Sequence, residues 1–241
     1  MGRKSGAGRR ILQNGHNPLS SGAGSPASYR IPPAMDERLQ FLINRQWTSP
    51  ALDRLMAAVS SLDLWWPLIA ALALATAWRG GRRARLFLVS LGILLALGEG
   101  LIDNPLKHAI HRLRPYQAQA GVRQVDLDRH AHPRFLALFR APWVAISEPP
   151  AQTGVRPEDG RSFPSSHVVN NVCAAMALTC FYRRRGWWYF GPAALVAYSR
   201  VYVGAHWPSD VAVSALLAIG FSLVTLGLLQ WTMAKTGTGA P

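Results

Sequence analysis

Three short clusters in this 241-residue chain carry side chains suited to holding and cleaving a phosphoryl group. In KHAIHRLRP, Lys107 and Arg114 stand two helical turns apart, so a helix continuing to Pro115 puts both cations on one face. Two fixed cations clamp a dianionic phosphate, the arginine by its fork and the lysine as a point charge. In SFPSSH, Ser165, Ser166 and His167 open an apolar stretch, where hydroxyls and unpaired backbone N–H groups at the positive end of a helix attract an anion. In SRVYVGAHWPSD, Arg200 precedes His206, and Asp210 follows it by about one turn. A carboxylate there can hold one imidazole nitrogen and leave the other as a base or nucleophile.

Taken singly, each cluster also has an ordinary reading: cations snorkelling at a membrane surface, a serine helix cap, and a surface histidine near a helix start. Their joint placement depends on the elements around them. Charged residues are only 16% of the chain, 49% is apolar, and the formal charge is +14. Soluble domains carry about 25% charge, and a soluble nucleic-acid binder should carry more, so no nucleic-acid partner is expected. The excess cations call for an anionic partner or surface. Two cysteines supply neither a disulfide framework nor a Cys-rich zinc site, and Cys173 and Cys180 read as packing residues of one helix.

Residues 1–35 are rich in Gly, Ser and basic residues without an apolar period, the composition of a disordered tail, and they lack the continuous apolar core of a secretory signal. Residues 36–61 are amphipathic and charged, which fits an interfacial helix region. Five apolar stretches follow: 64–78, 86–102, 168–182, 187–198 and 211–231. The last is uncharged and close to the ~20 residues that cross a hydrocarbon core. Tryptophans 65, 66, 78, 187, 188, 207 and 231 lie at or near the ends of these stretches, as membrane-interface indoles do. The expected fold is therefore all-α, a polytopic membrane bundle of about five to six spanning helices, with the membrane domain at 36–232 and a short tail at 233–241. Arg79, Arg82, Arg83 and Arg85 join the first two spans, and Arg183 to Arg185 the third and fourth. The positive-inside rule puts both turns in the cytoplasm and all three clusters on the opposite face.

Together, Lys107 with Arg114-Pro115, then Pro164-Ser165-Ser166-His167, then Ser199-Arg200 with His206 and Asp210, resemble the three-part signature of the type 2 phosphatidic acid phosphatase superfamily. The resemblance covers about residues 36 to 232. It implies metal-independent hydrolysis of a lipid phosphate monoester or diphosphate through a phosphohistidine, with no cofactor. His206 would be the nucleophile, oriented by Asp210, and His167 the general acid. Lys107, Arg114, Ser165, Ser166 and Arg200 would bind the phosphoryl oxygens. One position departs from the common motif: Ser166 stands where a glycine is usual, and a requirement there for positive φ would strain it.

The same resemblance implies a bacterial inner-membrane protein with its site facing the periplasm or exterior. Undecaprenyl diphosphate comes first among substrates; phosphatidylglycerophosphate, phosphatidic acid and lipid A phosphate are alternatives. A catalytically silent lipid-binding or transport protein would be expected to have lost one of His167, His206 and Asp210. A vanadate-dependent haloperoxidase, with a similar site, would lack the apolar spans. Three weaker expectations concern neighbours of the clusters: Asp103 paired with Lys107, Glu99 paired with a basic group inside the bundle, and the long connection 116–161 serving as a lid or a substrate-contacting element. His108, His111, His130 and His132 lack the carboxylate spacing of a zinc site.

Overall fold

The computed structural model describes residues 33–128, 130–148 and 159–235. Helix α1 (Pro33–Phe41) runs into a π-helical turn (Leu42–Gln46), followed by α2 (Pro50–Ser60) and α3 (Leu62–Arg79). Helix α4 (Arg82–Gly98) continues through a π turn (Glu99–Asp103) into α5 (Asn104–Ile110), and a short α6 (Pro115–Ala118) follows. Strands β1 (Arg123–Asp126) and β2 (Trp143–Ile146) flank a 3-10 turn (Arg134–Phe139). Helices α7 (Ser166–Tyr182), α8 (Phe190–Tyr202) and α9 (Pro208–Lys235) complete the fold, with a 3-10 segment (Arg183–Tyr189) between α7 and α8. Residues 1–32 and 236–241, most of the two expected tails, lie outside the described residues. Helix α1 takes in residues 33–35 and α9 runs to Lys235, beyond the expected domain boundaries at both ends.

The bundle centre is α4, α7 and α9, packed through Phe87, Leu94, Val169, Cys173, Phe181 and Ala218. Small polar residues of α9, Ser214, Ser222 and Thr225, face inward, which lets helix backbones approach closely. The outer surface is apolar: Trp66, Leu72, Leu74 and Trp78 of α3 are more than half exposed, an arrangement suited to lipid and not to water. Two helical runs are long and apolar enough to cross a membrane, Arg82–Ala118 and Pro208–Lys235. Helices α2 and α3 make a third if their 51° bend is one broken span. The expected five to six spans are not reached by this measure because α7 and α8 have only 17 and 13 residues. Both cysteines are free, and Cys173 is buried in the α4–α7–α9 packing.

The two basic turns meet at one end. Arg83 donates to the Phe181 carbonyl and lies over the Tyr182 ring at 5.4 Å. At the other end the chain changes direction repeatedly. Pro105 lacks the N–H that an α-helix needs, and the π turn just before it absorbs the mismatch without ending the run. The helix stops at Ile110, where His111 adopts a left-handed φ of 48°, so it does not continue to Pro115 as expected.

Within the connection 116–161, β1 and β2 pair antiparallel, with Arg123 opposite Ile146 and Asp126 opposite Trp143. Asn44 pins it: its side chain accepts from Arg123 N at 2.7 Å and donates to Arg123 O at 2.8 Å and Tyr202 O at 2.6 Å. Asp53 of α2 adds an ion pair to Arg123 at 2.6 Å and accepts from the Tyr202 hydroxyl at 2.7 Å. Phe135, Phe139 and Trp143 are exposed, whereas Leu136 and Leu138 pack inward against Met56 and Tyr202.

Gly204 makes the turn after α8. Its φ is +76°, and a Cβ there would lie 2.5 Å from the Arg123 carbonyl oxygen. Left-handed strain for a non-glycine costs about 1–3 kcal/mol before the clash is counted. Gly204→Ala is therefore expected to lower the thermal unfolding midpoint in detergent clearly; an unchanged midpoint would show that the turn tolerates a side chain.

Candidate active site

All three clusters meet at the end of the bundle opposite the basic turns. A cavity of about 530 Å³ is lined by Arg114, His167 and Arg200, together with Ser60, Ser61, Tyr116, Gln124, Asp126 and Arg134. Arg114 reaches it from the residue preceding α6, His167 from the first turn of α7 and Arg200 from the last turn of α8.

Lys107 is not in the cavity lining. Its ammonium donates to the Ser166 hydroxyl and stands 3.9 Å from Asp103, the expected i,i+4 pair. Ser166 lies in helical backbone, and among the described residues the positive-φ non-glycines are His111 and Arg183. The replacement of glycine therefore strains nothing and gives Lys107 a hydroxyl to hold. Ser165 is buried; its N–H donates to Ser214 Oγ at 2.9 Å, and its own hydroxyl has no partner among the described residues. Arg200 donates through Nη1 to the Ser60 hydroxyl, while its buried Nε is without a partner. Arg200 lines the cavity, and its unpaired guanidinium N–H suits an incoming oxyanion.

His206 is buried behind the cavity wall, close enough to Arg200, Arg114 and His167 to feel their charges. Its Nδ1 lies 2.5 Å from the Ser162 carbonyl oxygen. A carbonyl only accepts, so Nδ1 carries the hydrogen and Nε2 keeps its lone pair. Burial first, then the charges of Arg200 and Arg114, push the imidazole well below the usual histidine range.

The expected direct support of His206 by Asp210 is replaced by an indirect one. The Asp210 carboxylate accepts from Ser162 Oγ at 2.5 Å, Trp207 N at 3.1 Å and Arg112 Nη1 at 2.5 Å. Asp210 thus holds the residue whose carbonyl holds the histidine. The Ser162 backbone forms a third strut, because its N–H donates to the Arg112 carbonyl at 2.8 Å.

Sequence reasoning missed Arg112, Ser60 and the role of Ser162. Arg112 and Ser162 lie inside the quoted motifs, and a third basic residue between Lys107 and Arg114 was a readable signal. Ser60 lies far upstream with no local pattern to mark it. Glu99 is exposed and, among the described residues, has no ion pair, in place of the expected basic partner inside the bundle. Among the described residues, no three His, Cys, Asp or Glu side chains gather as a metal site.

These features define an apolar helical bundle of membrane type with a cationic, histidine-bearing pocket at one end. The family model described as PAP2 superfamily matches residues 83–234, more than half of the chain, and the protein belongs to that superfamily. The bacitracin transport permease protein BcrC of Bacillus licheniformis is 33% identical over 78 residues, 32% of this chain and 36% of that one. An undecaprenyl-diphosphatase of Sulfolobus acidocaldarius is 40% identical over 68 residues, 27% of this chain and 32% of that one. The match thus spans about a third of the length of these curated relatives. Two solved structures are also similar. Aquifex aeolicus LpxE has a TM-score of 0.47 at 21% identity, covering 80% of this chain and 95% of that one. The PAP2-type phosphatidylglycerolphosphate phosphatase of Bacillus subtilis has a TM-score of 0.49 at 20% identity, covering 81% and 84%.

A free imidazole is half protonated near about pH 6.5. Because the His206 value is lowered, its neutral form should persist as the pH falls through that point. Imidazole ¹⁵N shifts of the detergent-solubilised protein are expected to show His206 still neutral at pH 6, and a midpoint at the ordinary value would contradict this environment.

Proposed function

We propose that the chain is a metal-independent membrane lipid phosphatase acting through a phosphohistidine. The observation that carries the reading is the Nδ1–H of His206 held by the Ser162 carbonyl, which leaves Nε2 its lone pair, in an imidazole that feels the charges of Arg200, Arg114 and His167. In the first step Nε2 attacks phosphorus, a P–N bond forms and the bond to the leaving oxygen breaks. Burial first, then the charges of Arg200 and Arg114, push His167 down to about 3. It therefore takes up a proton from solvent only when the bound phosphate's negative charge offsets those cations, and it then gives that proton to the leaving oxygen as general acid. In the second step His167 takes a proton from water, the resulting hydroxide attacks phosphorus, and the P–N bond breaks to release inorganic phosphate and free His206.

Lys107, Arg114 and Arg200, with the Ser165 hydroxyl and the backbone at Ser166, hold the three equatorial oxygens. Their fixed charge meets the transferring phosphoryl group in a site partly shielded from water, where such contacts do most for the rate. Asp210 orients His206 through Ser162.

A lipid substrate is supported by a second cavity of about 440 Å³, lined by Leu55, Val59, Trp65, Ile69, Pro192 and Leu195. It shares Leu62 and His167 with the cationic cavity. An amphiphile bound across that boundary would have its phosphate among the arginines and its chain against apolar walls, with the leaving oxygen at His167.

Undecaprenyl diphosphate is the substrate placed first, supported by the name of the Sulfolobus relative. Phosphatidylglycerophosphate, phosphatidic acid and lipid A phosphate present the same phosphoryl chemistry to the cage and are the alternatives. The protein is assigned to the inner membrane as a multi-pass protein. The site is assigned to the periplasmic or outer face because Arg83 and Arg183 to Arg185 cluster at the other end.

The test is phosphate release from these four lipid phosphates in detergent with EDTA present. Turnover is expected to persist in EDTA, to be fastest with undecaprenyl diphosphate, and to fall about a thousandfold or more in His206→Ala. A strict need for a divalent cation, or an active His206→Ala, would sink the mechanism; a different rank order would change only the substrate.

A further inference from the structure

Asp36 is buried in the first helix, far upstream of all three clusters and outside the residues matched by the family model. An unpaired carboxylate would be costly there, and the structure answers with three contacts. Its Oδ2 lies 2.6 Å from Arg112 Nη2 and accepts from the Ser209 hydroxyl; its Oδ1 accepts from Ser209 N at 2.9 Å. Arg112 Nη1 closes the group, donating to Ser209 Oγ at 2.8 Å and to Asp210 Oδ1 at 2.5 Å. Arg112 is therefore a planar fork with one carboxylate on each tine, and its face lies 5.6 Å from the Trp207 ring centroid.

From Asp210 the contacts run on without a gap. Ser162 Oγ donates to the carboxylate, and the Ser162 carbonyl takes the Nδ1–H of His206. Each link is at or under 2.6 Å, so a shift at one end has little slack to absorb it before it reaches the imidazole.

We propose that Asp36 is a positioning residue for His206, acting through Arg112, Asp210 and Ser162, so that the first helix completes the nucleophile's alignment. The proposal rests on the reading of His206 as the nucleophile. Asp36 touches no reacting atom. What it contributes is the angle and depth of the Arg112 fork: with one carboxylate gone, the guanidinium is free to swing wholly toward Asp210, drawing that carboxylate away from Ser162.

Asp36→Asn keeps the shape and the Ser209 contact but removes the charge. Its kcat is expected to fall about 10- to 100-fold, the range associated with sub-ångström to ångström misplacement of a reacting group, with KM within about twofold of wild type. The Nδ1–H proton resonance of His206, far downfield when held at 2.5 Å, should move upfield or broaden in the same variant.

Gln40→Ala is the control for docking alone, because Gln40 ties α1 to the Val201 carbonyl at 3.1 Å without touching the relay. It should lower the unfolding midpoint and leave kcat and the His206 resonance in place. A wild-type kcat in Asp36→Asn, or an equal loss of kcat in Gln40→Ala, would overturn the proposal. Should Asp36→Asn not be recovered folded, Ser209→Ala removes one tie to Asp36 and one to Arg112 while keeping both charges. A kcat loss at unchanged KM supports the relay there, and an unchanged kcat overturns it. Failure of the phosphohistidine reading is told apart by His206→Ala, whose full activity would leave Asp36 nothing to position.

Discussion

The Arg112 guanidinium, shared between two buried carboxylates, is the interaction on which the site end of this bundle depends. Moving an ion out of water costs several kcal/mol even after relaxation, and a buried charge survives only where partners satisfy it. Asp36, Arg112 and Asp210 satisfy one another and draw in Ser209, Ser162 and Trp207 N. They also fix four chain segments that are remote in sequence: the first helix, the segment after α5, the loop before α7 and the start of α9. Few other contacts at this end combine such reach with such directionality, since apolar packing permits sliding and a bidentate guanidinium does not.

The rest of the molecule is arranged around the boundary between polar and apolar surroundings. The cavity walls change from arginine and serine to leucine and tryptophan at Leu62 and His167, beside the bend between α2 and α3. Breaking the helix at Ser61 frees backbone and hydroxyl groups of Ser60 for the site; Ser60 Oγ takes Arg200, and its carbonyl lies 3.5 Å from the same guanidinium. A straight helix would have used that carbonyl internally. The bend therefore serves the chemistry as well as the path of the chain.

Much of this was legible in the sequence because the residue types of the proposed phosphate cage lie in short local motifs. Lys107 with Arg114, Ser165 to His167, and Arg200 with His206 announce themselves by residue type and spacing, and apolar runs with terminal tryptophans announce the membrane setting. What was not legible depends on long-range geometry. Asp36 and Ser60 come from a region whose charges read equally well as an interfacial surface. The ordering of residues 123–146 depends on Asn44, 79 positions from Arg123. The end of α5 at Ile110 follows from a single left-handed residue, His111, which no periodicity predicts. The spacing of His206 and Asp210 pointed to a direct contact because a carboxylate one turn away can reach an imidazole; Ser162, from another segment, takes the position between them.

The cationic cage remains a conflict that the fold itself only partly resolves. Lys107, Arg114 and Arg200 act on His167 together, and like charges gathered in a shielded place repel. Asp103 lies 3.9 Å from Lys107, and Asp126 is near enough to Arg200 to attract it, yet Arg200 Nε and Ser165 Oγ stay unpaired and buried. By contrast, Arg112, only two residues before Arg114, is fully engaged. The distinction follows from the carboxylates within reach: two for Arg112, whereas among the described residues no ion pair is found for Arg114 or Arg200, and the third arginine of the lining, Arg134, is held by Asp63 at 2.6 Å. A dianionic phosphoryl group is the species that would relieve that repulsion, and its relief would increase as charge moves onto the equatorial oxygens during transfer. On the proposed reading, the same imbalance would favour an anionic phosphoryl group over a neutral headgroup.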